Sequence, residues 1–224
     1  MPLPRESVWC PRCGGPVAPD LDAGAGWECA RHGRVPGLYG FAAPSVHGLL
    51  AHVTQSVLPT WLPWPLPNAW SVAGTGRVVD DTAVATVLAL SGSDPLGAAG
   101  DLLLIAEDPG VGLGAHYAGL ASPDPGPIVG AGPADARVVV NGHPTPLWFV
   151  DVGDECQVCV GEAAGRWLWL IAWPPLASAA VLMEASTLVD LHDLLAELDL
   201  IPLSEVSPRL LAGTGAGPGE SQER

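Results

Sequence analysis

The residues in this chain best suited to chemistry are its cysteines and one histidine near the N-terminus. Cys10-Pro-Arg-Cys13-Gly-Gly is followed by Cys29-Ala-Arg-His32-Gly, a C-x2-C-x15-C-x2-H pattern. Zinc takes four ligands tetrahedrally, and two ligands on one tight turn can hold it from one side. Two such turns facing each other make a ribbon. Each second ligand is followed by Gly, at Gly14 and Gly33, which lets the chain leave the metal through positive φ without strain. Cys10, Cys13, Cys29 and His32 are therefore the expected metal ligands, for a single structural zinc. All four positions are filled and none is left for water, which is the structural pattern, not the catalytic one. Three thiolates, a neutral imidazole and Zn²⁺ sum to one negative charge, which Arg12 and Arg31, inside the two turns, are placed to offset.

The rival pair is Cys156-Gln-Val-Cys159. It sits in a strand-like run, where residues three apart point to opposite faces, so the two thiols should not share an ion. The simpler expectation is two small buried apolar side chains.

Other candidate chemistry is weaker. Glu107–Gly119, EDPGVGLGAHYAG, carries Gly110, Gly112 and Gly114 but lacks the helix that a dinucleotide fingerprint must open. With no lysine in the chain, neither a Walker loop nor a Schiff-base enzyme is available. A pocket between the Gly110–Gly114 loop and the Trp-rich segments is the place for a small-molecule ligand, if one binds. His116 and His143, with Glu107, Asp108 or Asp151, supply acid–base groups, though nothing in their spacing brings them together. WLPWPLPNAW places Trp61, Trp64 and Trp70 among three prolines. It reads as a stiff connector that seals the core, or as a peptide-docking surface.

The elements that position these residues are of two kinds. A module over residues 1–36 is too short to hold a core without a staple. It precedes an α+β body over residues 40–207, and residues 208–224, ending GTGAGPGESQER, read as a disordered tail. The predicted fold is thus α+β, a small zinc ribbon followed by a mainly antiparallel sheet with a few helices. One helix is expected over Ser45–Val57, with Val46, Leu49, Leu50, Val53 and Val57 on one face, and another over Thr187–Leu198, where Leu recurs at 188, 191, 195 and 198. Between them the runs are strand-like. Thr82–Leu90 and Leu102–Ala106 are short apolar segments, and Arg137–Val150 folds about Asn141-Gly142 as a hairpin. Val158–Glu162 and Trp167–Trp173 meet at Ala163-Ala164-Gly165-Arg166. The second of these is apolar on both faces, which places it in the middle of a covered sheet.

Charge narrows the function classes. The formal net charge is −15, and all nine basic residues are arginine. Residues 1–34 balance four Arg against four acids, while the rest of the chain sets five Arg against twenty acids. Nucleic-acid affinity rests on cations that neutralise phosphates, so DNA and RNA are not expected partners. The uncharged, strongly apolar run Trp167–Met183 would span ~25 Å as a helix, short of a ~30 Å hydrocarbon core, and Pro174-Pro175 interrupt it. No membrane span is expected. MPLPRESVWC has no apolar leader, so the expectation is a cytoplasmic protein with reduced cysteines.

Taken together, CPRCGG, WECARHG, WLPWPLP, EDPGVGLGAHYAGL, PDPGP, PTPLW, GRWLWLIAWP and SPRLL resemble a family of uncharacterised actinobacterial proteins of the Streptomyces type, a domain of unknown function. The resemblance runs from Cys10 to Leu211. It implies an actinobacterial cytoplasmic protein with the ribbon ligands above, and it brings no catalytic residues. Some relatives carry an automatic phosphotransacetylase label, which the residues here do not support. The leading expectation is a non-enzymatic module that partners another protein or regulates one. The alternative is a small-molecule binder or enzyme.

Overall fold

A computed structural model describes residues 7–20, 26–39, 41, 43–94, 96–182 and 187–214. The chain opens with β1 (Val8–Trp9), β2 (Ala18–Pro19), β3 (Trp27–Cys29), β4 (Gly33–Val35) and β5 (Gly37–Tyr39). Helix α1 (Val46–Gln55) leads to β6 (Trp61–Trp64), β7 (Ser71–Val79), β8 (Ala83–Ser93) and β9 (Ala99–Glu107). After α2 (Leu113–Tyr117) come β10 (Ala136–Val140), β11 (His143–Val150), β12 (Gln157–Ala163) and β13 (Arg166–Trp173). Helix α3 (Ala179–Leu182), β14 (Thr187–Asp190) and α4 (Pro208–Ala212) complete it.

The main sheet has, among the described residues, eleven strands in the order β1-β5-β7-β8-β9-β13-β12-β11-β10-β14-β6, while β2, β3 and β4 form a small separate one. Among the described residues every paired strand is antiparallel except β10 with β14. The expectation of a mainly antiparallel sheet with a few helices therefore holds. No helix among the described residues is long and apolar enough to cross a membrane.

Turn chemistry explains the local register. Asn141 and Gly142 both adopt positive φ, and so do Ala164 and Gly165, so two-residue turns close β10–β11 and β12–β13. Strand β13 is the sixth of the eleven, as its two apolar faces require. Leu168, Leu170 and Ala172 face one core, and Trp169, Ile171 and Trp173 face the other. β11 bends between partners: His143–Leu147 pair with β10, and Trp148–Val150 pair with β12. The β10–β14–β6 end thus curls over the first face, burying Leu62, Val140 and Leu188 against Leu88, Leu90, Leu102 and Leu104. Trp61 and Trp70 are buried in that core, so WLPWPLPNAW is core-sealing. Trp61–Trp64 is itself a paired strand and not a connector.

Three expectations are corrected. The segment Thr187–Leu198 is not one helix but β14, a 3₁₀ turn over Leu191–Leu194 and a second beginning at Leu198. The open edges of β6 and β10 recruit residues 187–190 into the sheet, and Asp190 then caps the turn by accepting from the His192 N–H. Helix α1 forms where expected, capped by Ser45, but it buries Leu49, His52 and Val53 while Val46 and Leu50 are exposed. Val57 lies beyond its end and is 81% exposed. Residues 208–214, expected from composition to begin a disordered tail, are structured. Ser207 accepts from the Arg209 and Leu210 N–H groups, and Leu210 is fully buried against Gly74. The remainder of that tail, 215–224, lies outside the described residues, as do residues 1–6 of the N-terminal module.

Candidate metal centre

The first turn grows out of β1. Cys10 N–H donates to the Gly15 carbonyl at 2.8 Å, Gly14 N–H donates back to the Cys10 carbonyl at 2.8 Å, and Gly14 has φ +64°. The second turn is the β3–β4 hairpin, where Cys29 pairs with Gly33 and Gly33 has φ +65°. Both glycines thus do what their positions in the sequence implied.

The two turns bring Cys10, Cys13, Cys29 and His32 together with their ligand atoms all within 4.8 Å of one another. Cys13 Sγ lies 3.8 Å from Cys29 Sγ, and His32 Nδ1 lies 3.5 Å from Cys10 Sγ and 3.7 Å from Cys29 Sγ. Zinc bonds of ~2.3 Å to sulfur and ~2.0–2.1 Å to nitrogen give tetrahedral S···S edges of ~3.8 Å and S···N edges of ~3.6 Å. The observed spacings are those edges, and the sulfurs are too far apart for a disulfide. The four residues lie close enough to bind one metal ion, and the set is compatible with zinc in a ribbon. Among the described residues it is the one such cluster of three or more His, Cys, Asp or Glu side chains.

Burial and backbone dipoles act on the thiols in opposite directions. Burial pushes Cys10 up to about 12, against a hydrogen bond from the Arg12 backbone. At Cys29 burial also raises the thiol, but hydrogen bonds from the Arg31 and His32 backbone outweigh it and the pKa is lowered. Such N–H donors at the sulfur suit a thiolate, the form that ligates metal. Beneath the site Cys10, Cys29 and Val35 form a small core with Val17 and Trp27.

Arg12 does something that its place inside the turn did not reveal. Its guanidinium reaches out of the module, donating from Nη2 to the Gly110 carbonyl at 2.7 Å and from Nε to the Val111 carbonyl at 3.3 Å. The loop it grips is held from the other side by Asp124, which accepts from the Gly110 N–H at 2.8 Å and from Trp167 Nε1 at 3.0 Å. Only the position of Arg12 beside Cys13 hinted at a role. Asp124 carried no signal.

The remaining candidates do not converge. Glu107 is fully buried and accepts from the Leu113 and Gly114 N–H groups at 2.7 and 3.2 Å, so it caps α2. Asp108 pairs with Arg166 at 2.9 Å. His116 donates from Nε2 to the Gly213 carbonyl at 2.9 Å and lines a cavity of about 90 Å³ with Arg12 and His32. His143 and Asp151 stand at opposite ends of β11, ~26 Å of strand apart. Cys159 is buried in the core that holds Leu170, and Cys156 packs in the one that holds Trp169, so the two thiols face apart.

The profile described as a family of unknown function (DUF6758) matches residues 5–210 of the chain. Neither the curated proteins nor the solved structures contain a match.

Proposed function

Since this chain belongs to DUF6758, a family whose description assigns no activity, we propose its function from the site: a zinc-ribbon protein in which one structural zinc holds the N-terminal module together, attached to an acidic, non-enzymatic body that engages or regulates another protein. Cys10, Cys13, Cys29 and His32 hold the ion, as thiolates and a neutral imidazole. Bound zinc supplies cross-linking and no chemistry at substrate, because protein ligands fill its coordination. The observation that carries this reading is the match of the donor spacings, 3.8 Å for sulfur to sulfur and 3.5 and 3.7 Å for sulfur to nitrogen, to the edges of a zinc tetrahedron.

Support for a non-enzymatic body comes from the occupied candidate groups. Glu107 and His116 are committed to backbone partners, and Asp108 to Arg166. Twenty acids against five arginines beyond residue 34 favour a partner with a basic surface over a nucleic acid. Thiolate ligands suit a reducing, cytoplasmic compartment. The small-molecule alternative gains little at the Gly110–Gly114 loop, where the cavity of about 90 Å³ is well below the ~300–1,000 Å³ of ligand sites.

Native mass spectrometry of the purified chain, beside Cys29→Ser and Cys156→Ser, tests the proposal. One zinc in the wild type and in Cys156→Ser, with none in Cys29→Ser, is the expected result. Zinc retained in Cys29→Ser and lost in Cys156→Ser would overturn it.

A further inference from the structure

A groove between α1 and β7 holds a set of polar side chains that make no hydrogen bond or ion pair among the described residues. Thr75, Arg77 and Val79 project from one face of β7, and α1 lies over them with Leu49, His52 and Gln55. Two cavities, of about 200 and 450 Å³, open along this seam and share Tyr39, Gln55 and Arg77. Arg77 therefore stands where they meet, and together they fall in the ~300–1,000 Å³ range of ligand sites.

Tyr39, Gln55, Thr75 and Arg77 all line the smaller cavity, and none makes a side-chain hydrogen bond or ion pair among the described residues. For Arg77 this is unusual. Acids outnumber basic residues 24 to 9 in this chain, yet the half-buried Arg77 has Tyr39 beside it on β5 and Thr86 on β8, with no carboxylate at either. Other arginines are employed: Arg12 on loop carbonyls, Arg166 on Asp108, Arg209 over Trp173. The Arg77 guanidinium instead lies over the Tyr39 ring, 5.6 Å from its centroid. A planar guanidinium can present two parallel N–H groups to a planar oxyanion. Its charge is felt at the buried His52, whose pKa falls to about 4 through burial first and then Arg77, so His52 adds no second cation.

We propose that this groove binds a small organic monocarboxylate, its carboxylate held by the fork of Arg77 and its apolar body laid against Val57 and Val79 in the larger cavity. Gln55 and Thr75 supply further hydrogen bonds at the anionic end. A single cation, with Asp81 on the rim and a net charge of −15 around it, disfavours a phosphate dianion.

The test is a ¹H–¹⁵N titration of the full-length, zinc-loaded chain with sodium benzoate, with inorganic phosphate, and with sodium chloride at matched ionic strength. The Arg77 Nε–H and Gln55 side-chain amide signals should shift saturably with benzoate, at a Kd of about 1 mM or tighter. They should move at least tenfold less readily with phosphate. Arg77→Gln should weaken benzoate at least tenfold with thermal midpoint and zinc content unchanged. Should that variant fail to fold, Arg77→Lys keeps the charge but loses the fork, and should still weaken benzoate about fivefold. Shifts no different from chloride, tighter binding of phosphate, or equal affinity in the folded variant would each overturn the proposal. Zinc content reports separately on the metal centre, so the two readings can fail independently.

Discussion

Arg12 Nη2 and the Gly110 carbonyl meet at 2.7 Å across 98 residues of chain, joining the Cys10–Cys13 turn to the loop that leads into α2. The same turn reaches the C-terminus: a Cβ at Gly14 would run into the Gly213 carbonyl, and His116 and Tyr117 of α2 donate to the carbonyls of Gly213 and Leu210. The turn at Cys10–Cys13, α2 and α4 are therefore one interlocked unit. The N-terminal module is a clasp on the second face of the sheet and not a freely tethered unit.

Arg12→Ala should cost about 1.5–3 kcal/mol, the range for hydrogen bonds from a charged donor. Zinc stoichiometry should stay at one, because the four ligands are untouched. Urea unfolding of the zinc-loaded protein, paired with metal analysis, reads both. A loss of zinc in this variant would show that the contact builds the site instead of docking it.

Gly14→Ala and Gly33→Ala separate backbone strain from docking. Both glycines have φ near +65°, where an L side chain costs about 1–2 kcal/mol, but only Gly14 has neighbours within 4 Å of the added Cβ. Gly14→Ala should be the more destabilising of the two. It should also speed hydrogen exchange over residues 207–213, and Gly33→Ala should not.

His192 makes stability depend on pH near neutrality. Burial alone would lower its pKa, but Nδ1–H donates to Asp190 at 2.7 Å and Nε2–H to the Ser56 carbonyl at 2.9 Å, and the net shift is upward. Both partners are acceptors, so only the imidazolium satisfies both. With the folded value above the ordinary 6.5, the stabilisation is fully present below 6.5 and is lost as pH rises through the folded pKa. The difference in melting temperature between wild type and His192→Ala should be widest near pH 6 and shrink by pH 8.5.

Glu107 acts in an overlapping window for a different reason. Burial raises it from 4.5 to about 8, against the two N–H bonds from α2. The unfolded chain loses this proton near 4.5 while the folded chain keeps it to about 8, so stability falls as pH rises between those values and is flat above. Glu107→Gln lacks that slope. It should be less stable than wild type at pH 5, and the gap should narrow by pH 8 in urea titrations.

Much of this protein is written in short stretches of residues, and those parts can be read from the residues alone. C-x2-C and C-x2-H close their turns within a few residues, with Gly14 and Gly33 taking the positive φ, so the four candidate ligands follow from spacing alone. Asn141-Gly142 and Ala164-Gly165 set their hairpins in the same local way, and two apolar faces are enough to centre β13. Tertiary structure decided whatever depends on a partner far along the chain. Leu188 and Leu191 keep a helical period, yet the vacant edges of β6 and β10 satisfy more backbone groups than a solitary helix there could, so the segment joins the sheet. Leu210 becomes core because Gly74 leaves room for it, and residues 208–214, which composition marks as the start of a polar tail, are folded. The grip of Arg12 on Gly110 and the placing of Arg77 over Tyr39 beneath α1 carry no local pattern at all. Each exists only because packing brings together residues whose separation in sequence says nothing of their separation in space.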